Sequence, residues 1–391
     1  MGDKSQIEWT DATWNPIVGC SVISPGCTNC YAMRQAARIE KMNPTGGSGS
    51  NYVNHYDGTT RPSKAGPVWT GKIAVARDDL FLKPLSWRRP RMIFVNSMGD
   101  LFHEAIPDAA IDRAFAVMAL APQHTFQLLT KRAARMRAYM TSRSGDDHLT
   151  AWAMAHPRGS LPITAHEVTA RHWPVATEEH RRLYRATRPT FPLPNVSLGV
   201  SAEDQARADE RIPELLATPA AARFVSAEPL LGAVDFTALA FPKSCDCVGH
   251  APTLDALQAT AYCAGCCEGP ERLDLGRLDW IIVGGESGPG ARPMHPDWAR
   301  SIRDQCAAAG VPFFFKQWGE FHPSCQHDHV TMGCSNTPEA LHRDGRREHR
   351  PMEQFKRIVE GDGWVGMCHV GKKRAGRSLD GRTHDAMPVR A

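Results

Sequence analysis

No stretch of this 391-residue chain stays apolar for anything near the ~18 residues that cross a bilayer. The opening residues, Met1-Gly2-Asp3-Lys4-Ser5-Gln6, also lack the basic-then-apolar order of a secretory leader. The expectation is a soluble, cytoplasmic protein with no membrane partner. Charge of one sign is scarce too: a net +4 does not by itself establish a nucleic-acid partner. Cysteine is missing between Cys30 and Cys245, so the twelve cysteines fall into groups: 20, 27 and 30; then 245, 247, 263, 266 and 267; then 306, 325, 334 and 368. In a reducing compartment such grouping argues for metal ligation or redox chemistry over disulfides.

Cys20, Cys27 and Cys30 form a C-x6-C-x2-C loop with glycines and no histidine beside it. A [4Fe-4S] cluster normally takes four cysteines. Three thiolates would leave one iron open for a cofactor or substrate, and in this the loop resembles that of the radical S-adenosylmethionine enzymes. The spacing departs from their commonest C-x3-C-x2-C form, and the aromatic residue, Tyr31, follows the last cysteine instead of preceding it. A zinc loop completed by a distant fourth ligand, or unligated thiols, are the structural alternatives.

Short apolar runs recur at Met92–Val95, Phe126–Leu129, Val196–Val200, Arg223–Ser226, Trp280–Val283 and Pro312–Phe315, with a first strand expected at Ile7–Trp9. Amphipathic stretches at 107–121, 202–216 and 296–309 alternate with them. The pattern predicts an α/β fold: a full or partial (β/α) barrel of six to seven parallel strands in a single domain over 1–391. Glycine and polar residues gather after each strand, where barrel enzymes build their sites. Asp100, Glu228, Glu286 and Lys316 are the candidate catalytic residues, and Met98, Gly99, Asp100, Ser201 and Glu203 the candidate cofactor contacts. Gly99 is expected to let backbone approach the methionine ammonium, with Asp100 as its partner. The resemblance to radical-SAM enzymes implies a Gly-Gly-Glu type motif for the cofactor's amino group after the second strand; the literal Gly284-Gly285-Glu286 comes late in the chain and reads as a ribose or substrate contact. Ser201 with Asp204 fits a helix-capping pattern.

Cys245, Cys247, Cys263 and Cys266, in an inserted module over 241–275, have the spacing of a zinc knuckle, an auxiliary iron–sulfur cluster being the alternative. His322, Cys325, His327, His329 and Cys334 form a weaker metal pattern. A polar insertion, 141–192, is expected to be a lid. The basic extension over 321–391, with Arg343, Arg346, Arg347, Arg350, Lys372, Lys373, Arg374, Arg377 and Arg382, reads as a solvated tail or a phosphate-binding surface.

Over most of its length the chain resembles a phage- and prophage-associated family of unknown function, the three-Cys-motif proteins, considered radical-SAM-like. The matching segments include Ile7-Glu8-Trp9-Thr10-Asp11, the cysteine loop with Tyr31-Ala32, Asn96-Ser97-Met98-Gly99-Asp100, Leu129-Thr130-Lys131-Arg132, Ser226-Ala227-Glu228-Pro229, Gly284-Gly285-Glu286 and Phe315-Lys316-Gln317-Trp318-Gly319. The resemblance implies a [4Fe-4S] cluster, S-adenosylmethionine and an electron donor, acting on a nucleotide or nucleic acid. Two other classes are carried beside it. One is a non-catalytic zinc protein that binds nucleic acid or a protein partner. The other is a metal-dependent hydrolase using Asp100, Glu228, Glu286 and His103.

Overall fold

The computed structural model describes residues 5, 7–42, 54–155, 190–241, 271–272, 275–323, 339–349 and 363–388. Seven strands build one sheet: β1 (Ala12–Trp14), β2 (Met92–Val95), β3 (Thr125–Thr130), β4 (Val196–Ser201), β5 (Ala222–Ala227), β6 (Trp280–Gly284) and β7 (Phe313–Gln317). Their order in the sheet is their order in the chain, and every neighbouring pair is parallel. The sheet curls into a half-barrel flanked by helices. Parallel neighbours need crossovers, supplied here by α1 (Tyr31–Met42), α2 (Asp108–Ala119), α3 (Ala133–Thr141), α4 (Gly145–Met154), α5 (Gln205–Leu216) and α6 (Pro296–Ala309). The expected fold class is what the chain adopts. Among the described residues no helix is long and apolar enough to cross a membrane.

Side chains alternate across each strand, and both faces are apolar, as a parallel sheet buried on both sides requires. Ile93, Val95, Phe126, Leu128, Leu198, Val200, Val225, Ala227, Ile281, Val283, Phe313 and Phe315 join the core beneath the helices. Phe94, Phe224, Trp280, Ile282 and Phe314 point into the concave side and close around Trp9. There the Trp9 ring lies 4.8 Å from Phe94 and 6.0 Å from Trp280, and Trp280 lies 5.8 Å from Phe314. Each such pair adds about 0.5–1.5 kcal/mol beyond area burial. Gly199 belongs to this packing, since a Cβ there would sit 2.5 Å from the Phe224 ring.

Trp9 also explains a misplaced strand. Ile7 and Trp9 are apolar because they pack into the concavity, not because they pair in the sheet. The first strand starts later, where the Asp11 carboxylate accepts from Met92 N at 2.8 Å and Ala12 pairs with Ile93.

The helix over 296–309 stands where the sequence puts it, with Pro296 in its first turn, the His295 ring accepting from Asp297 N, and left-handed Gly310 ending it. For α5 the cap is Asp204, which accepts from Arg207 N, and Ser201 remains inside β4, so the capping pair expected from Ser201 does not form. The start of the supposed lid belongs to the core as well: Trp152 on α4 is fully buried and stacks 4.8 Å from Phe115 on α2. Its stretch 156–189 lies outside the described residues.

The C-terminal segment is no solvated tail. Phe321–Pro323 (β8), Glu339–His342 (β9), Arg347–His349 (β10) and Trp364–His369 (β11) form an antiparallel sheet in the order β8-β11-β9-β10. The chain then returns to the open edge of β7, where Phe315 N donates to His384 O and Phe314 bridges Asp385. Covering that edge removes a row of unpaired backbone groups. Many of the segment's cations meet acids on the way: Arg346 pairs with Asp344, Arg347 with Glu339 and Arg377 with Asp385. Ala240–Phe241 pairs with Glu271–Arg272 and closes the base of the cysteine-rich insertion. Cys245, Cys247, Cys263 and Cys266 themselves, and Cys325, His327, His329 and Cys334, lie outside the described residues.

Candidate functional site

Beyond β1 the chain crosses the carboxyl ends of the strands, and the cysteine loop is laid over them. Gly19 N donates to Met98 O at 3.1 Å, and Gly19 bridges Gly99 in parallel. A Cβ at Gly99 would stand 2.9 Å from Gly19 O. Met98 is buried with Val18, Ala32, Met33, Tyr56 and Trp69. The space that Gly99 opens is filled by the cysteine loop's own backbone, so Met98 and Gly99, expected from the sequence as cofactor contacts, are placed against that loop.

Asp100 follows the same pattern. Its Oδ1 accepts from Phe102 N (3.0 Å) and Thr130 Oγ1 (2.7 Å), and its Oδ2 from Lys131 N (3.2 Å) and Arg132 Nη1 (3.1 Å). A carboxylate offers about four lone-pair sites, and all four have protein donors. An ammonium partner would have to displace one of them. Arg132 passes the contact on: its Nη1 lies 3.6 Å from Cys20 Sγ, its Nη2 donates to Ser21 Oγ at 2.7 Å and its Nε to Glu104 at 2.8 Å.

Two more strand-end acids grip the loop from other sides. Glu203, fully buried after β4, accepts from Gly26 N at 3.1 Å and pairs with Arg211 at 3.0 Å. Gly26 has to be glycine for this approach, because a Cβ would meet the Glu203 carboxylate at 2.9 Å. Burial pushes Glu203 up, but Lys131 and Arg211 outweigh it and hold its carboxyl below the usual range. Glu286, after β6, accepts from Asn29 Nδ2 at 2.9 Å and from Arg292 Nε at 2.8 Å and Nη2 at 2.6 Å, while Arg292 also donates to Pro25 O at 2.9 Å.

The three cysteines are free thiols on this clamped loop. Burial pushes the Cys20 thiol up to about 12; Asp100 adds to that, Arg132 opposes it, and Cys27 and Cys30 repel the thiolate. Burial likewise raises Cys30, with Lys131 opposing. The thiols thus feel one another, with Arg132 and Lys131 as the adjacent cations. Cys30 immediately precedes α1, whose N-terminal N–H groups favour negative charge. Among the described residues, however, no three His, Cys, Asp or Glu side chains converge as a single metal ion requires. In the hydrolase set, Asp100, Glu286 and Glu228 each face their own cation, and His103 Nε2 lies 3.0 Å from Ser21 Oγ.

Glu228 and Lys316 differ from the clamping acids. They reach across from the ends of β5 and β7, with Lys316 Nζ 2.6 Å from Glu228 Oε1, and both side chains keep some exposure, at 13% and 18% for Lys316 and Glu228. A Cβ at Gly284 would press on Glu228 at 3.1 Å. Ser201 pairs in register with Ser226 on the adjacent strand end. Tyr31 completes the rim, its hydroxyl donating to Ser97 O at 2.9 Å while the residue stays 53% exposed.

Sequence reasoning brought the strand-end residues together but missed Arg132, Asn29 and Arg292 as contacts of the loop. The signal for Arg132 was its place directly after β3. For Asn29 and Arg292 no local signal exists, because their partners, Glu286 and Pro25, are each more than two hundred residues away.

The family comparison adds the final observation, since one family pattern, described as a protein of unknown function (DUF5131), matches residues 4–388. The chain belongs to the DUF5131 family. No curated protein and no solved structure matches the chain. The DUF5131 match spans the half-barrel, the cysteine loop and the C-terminal segment that closes the β7 edge.

Proposed function

We propose that the mouth of the half-barrel is the reaction centre of a radical-SAM-like enzyme, with Cys20, Cys27 and Cys30 holding a [4Fe-4S] cluster. The observation that carries this reading is a loop of three free thiols, clamped over the carboxyl ends of a parallel half-barrel by Asp100 through Arg132, by Glu203 and by Glu286. The donor set suits the group: three free thiols on one loop perturb one another, and two cations stand beside them. When bound and reduced by an external electron donor, such a cluster would supply one electron to the sulfonium of S-adenosylmethionine for hydrogen abstraction from a substrate. The chain's own residues do the rest. Arg132 and Lys131 offset the negative charge at the sulfurs. The aromatic plug of Trp9, Phe94, Trp280 and Phe314 closes the far end of the concavity. Glu228 and Lys316 present one charge of each sign to the amino-acid end of the cofactor or to the substrate, with a proton held at Nζ.

Anaerobic reconstitution followed by iron, sulfide and zinc analysis tests this. The expected result is about four irons and four sulfides per chain, lost when Cys20, Cys27 and Cys30 are all replaced by Ala. Stoichiometric zinc in the loop, or iron and sulfide retained by the triple variant, would overturn it.

A further inference from the structure

The chain's modest overall charge conceals a strong local asymmetry. Residues 31–91, which run from Tyr31 to the start of β2, contain eleven Lys and Arg but four Asp and Glu, a surplus of seven positive charges where the whole chain carries +4. The rest of the molecule is therefore net acidic. The few acids in this segment are also engaged: Glu40 accepts from Gly58 N and Thr60 Oγ1, Asp79 pairs with Arg77, and Asp78 pairs with Arg113 of α2.

The geometry concentrates the surplus. Tyr31, Arg34, Arg38 and Lys41 follow one another at spacings of three, four and three along α1, which places them on one face. From Tyr31 to Lys41 that face runs about 15 Å at 1.5 Å per residue. Arg38 and Lys41 are exposed, and Arg34, Arg38 and Lys41 line a hollow of about 420 Å³ with Ala37, Met42 and Pro67. The ribbon Thr60–Arg61 and Val68–Trp69 packs beside α1 through Trp69 and Met33, adding exposed Arg61 and Lys64. The stripe begins at Tyr31, directly after Cys30, where an exposed ring is fixed by its bond to Ser97 O.

We infer that this basic face binds the phosphates of a single-stranded nucleic acid and leads it to the mouth, with a base stacked on Tyr31. A row of cations with no acidic partner among the described residues, ending at an aromatic ring held by a hydrogen bond, is the combination that holds single strands, cations tracking the backbone and rings stacking on bases. A base within a duplex could not reach the sulfurs beside Tyr31, whereas an unpaired one can. The inference rests on the reaction-centre reading only for the direction of the strand; the binding surface exists without a cluster.

The test is fluorescence anisotropy of a fluorescein-labelled fifteen-nucleotide oligothymidine against the full chain, before and after anaerobic reconstitution, across 50–200 mM salt. Binding should weaken with salt, and Arg38→Ala/Lys41→Ala should lower the slope of log K against log salt by about 1.4, from ~0.7 per charge on a single strand. Tyr31→Ala should weaken binding about 5- to 150-fold with the slope unchanged. Tyr31→Phe, which keeps the ring, should retain stacking and guards against a folding defect in the Ala variant. Absence of salt-dependent binding, an unchanged slope in the double variant, or stronger binding to phosphatidylserine vesicles than to the oligonucleotide at equal phosphate would overturn the inference. Oligonucleotide binding by protein that takes up no cluster would uphold the surface while sinking the proposed reaction centre.

Discussion

Arg132 Nη1 lies 3.6 Å from the Sγ of Cys20 and 3.1 Å from Asp100 Oδ2, so one guanidinium joins a buried carboxylate to a thiol of the cysteine loop. The Arg132 and Asp100 side chains are 3% and 7% exposed, which places their pairing in the class where removing one partner strands a buried charge. Arg132→Met should therefore cost about 3–5 kcal/mol. Asp100→Asn should destabilise for the same reason, unlike a substitution at a mere cofactor contact. The double variant Arg132→Met/Asp100→Asn should recover much of the loss, because no charge is then left unpaired. Urea unfolding of the three variants checks this. Additive losses would show that the two side chains stabilise the protein independently.

How far the site could be read from sequence depends on the length scale of each interaction. Six strands are legible because each is a local apolar run, whereas the first is displaced by Trp9, whose apolar neighbourhood serves the concave plug and not the sheet. The gathering of polar residues at the strand ends is legible for the same local reason. Their roles are not. Glu203 looks like a free acid beside a helix start, but its partner Gly26 is 177 residues earlier. Gly99 looks like room made for a ligand, and the room is taken by Gly19. Acids at strand ends can reach a ligand or hold the loop that reaches it, and only the long-range backbone path separates these.

The clamp at Gly26 gives a second prediction. Gly26→Ala places a methyl group 2.9 Å from a carboxylate that is fully buried and fixed by Arg211. The loop must shift, at a cost of about 1–3 kcal/mol by the usual scale of overpacking. The expected outcome is slower, incomplete cluster reconstitution with the half-barrel's circular dichroism unchanged. Reconstitution at the wild-type rate and yield would remove Glu203 from the loop's support.

Acid sensitivity follows from the buried histidines. Burial, the leading cause in each case, lowers the pKa values of His103, His124, His148 and His295, and lowers that of His55 to about 4. These groups bind protons more readily in the unfolded chain, so their neutral-state stability is present above the unfolded value near 6.5 and lost as pH falls below it. Each proton taken up on unfolding contributes about 1.4 kcal/mol per pH unit. Urea midpoints should therefore drop steadily from pH 7 to pH 5. His148, packed between Tyr139 and Phe191, should account for part of the slope, so His148→Phe should flatten it. A midpoint indifferent to pH over this range would contradict the assignment.

Glu228 and Lys316 offer the most direct test of the proposed chemistry. Among the described residues this pair combines a short contact, 2.6 Å, with a position at the ends of β5 and β7 and no hydrogen bond to the cysteine loop. Glu228→Gln keeps an oxygen for Lys316 Nζ and nearly the same volume, so stability should change by no more than about 1 kcal/mol, the scale of a partly exposed pair. If the carboxylate meets the ammonium of S-adenosylmethionine, the variant loses a charge-assisted hydrogen bond of about 1.5–3 kcal/mol, or about 10- to 150-fold in affinity. Calorimetric titration of reconstituted wild-type and variant protein measures this, with iron content as the control for an intact cluster. Unchanged affinity at wild-type iron content would make the pair a structural tie between β5 and β7, and no binding by the wild type would sink the radical mechanism itself.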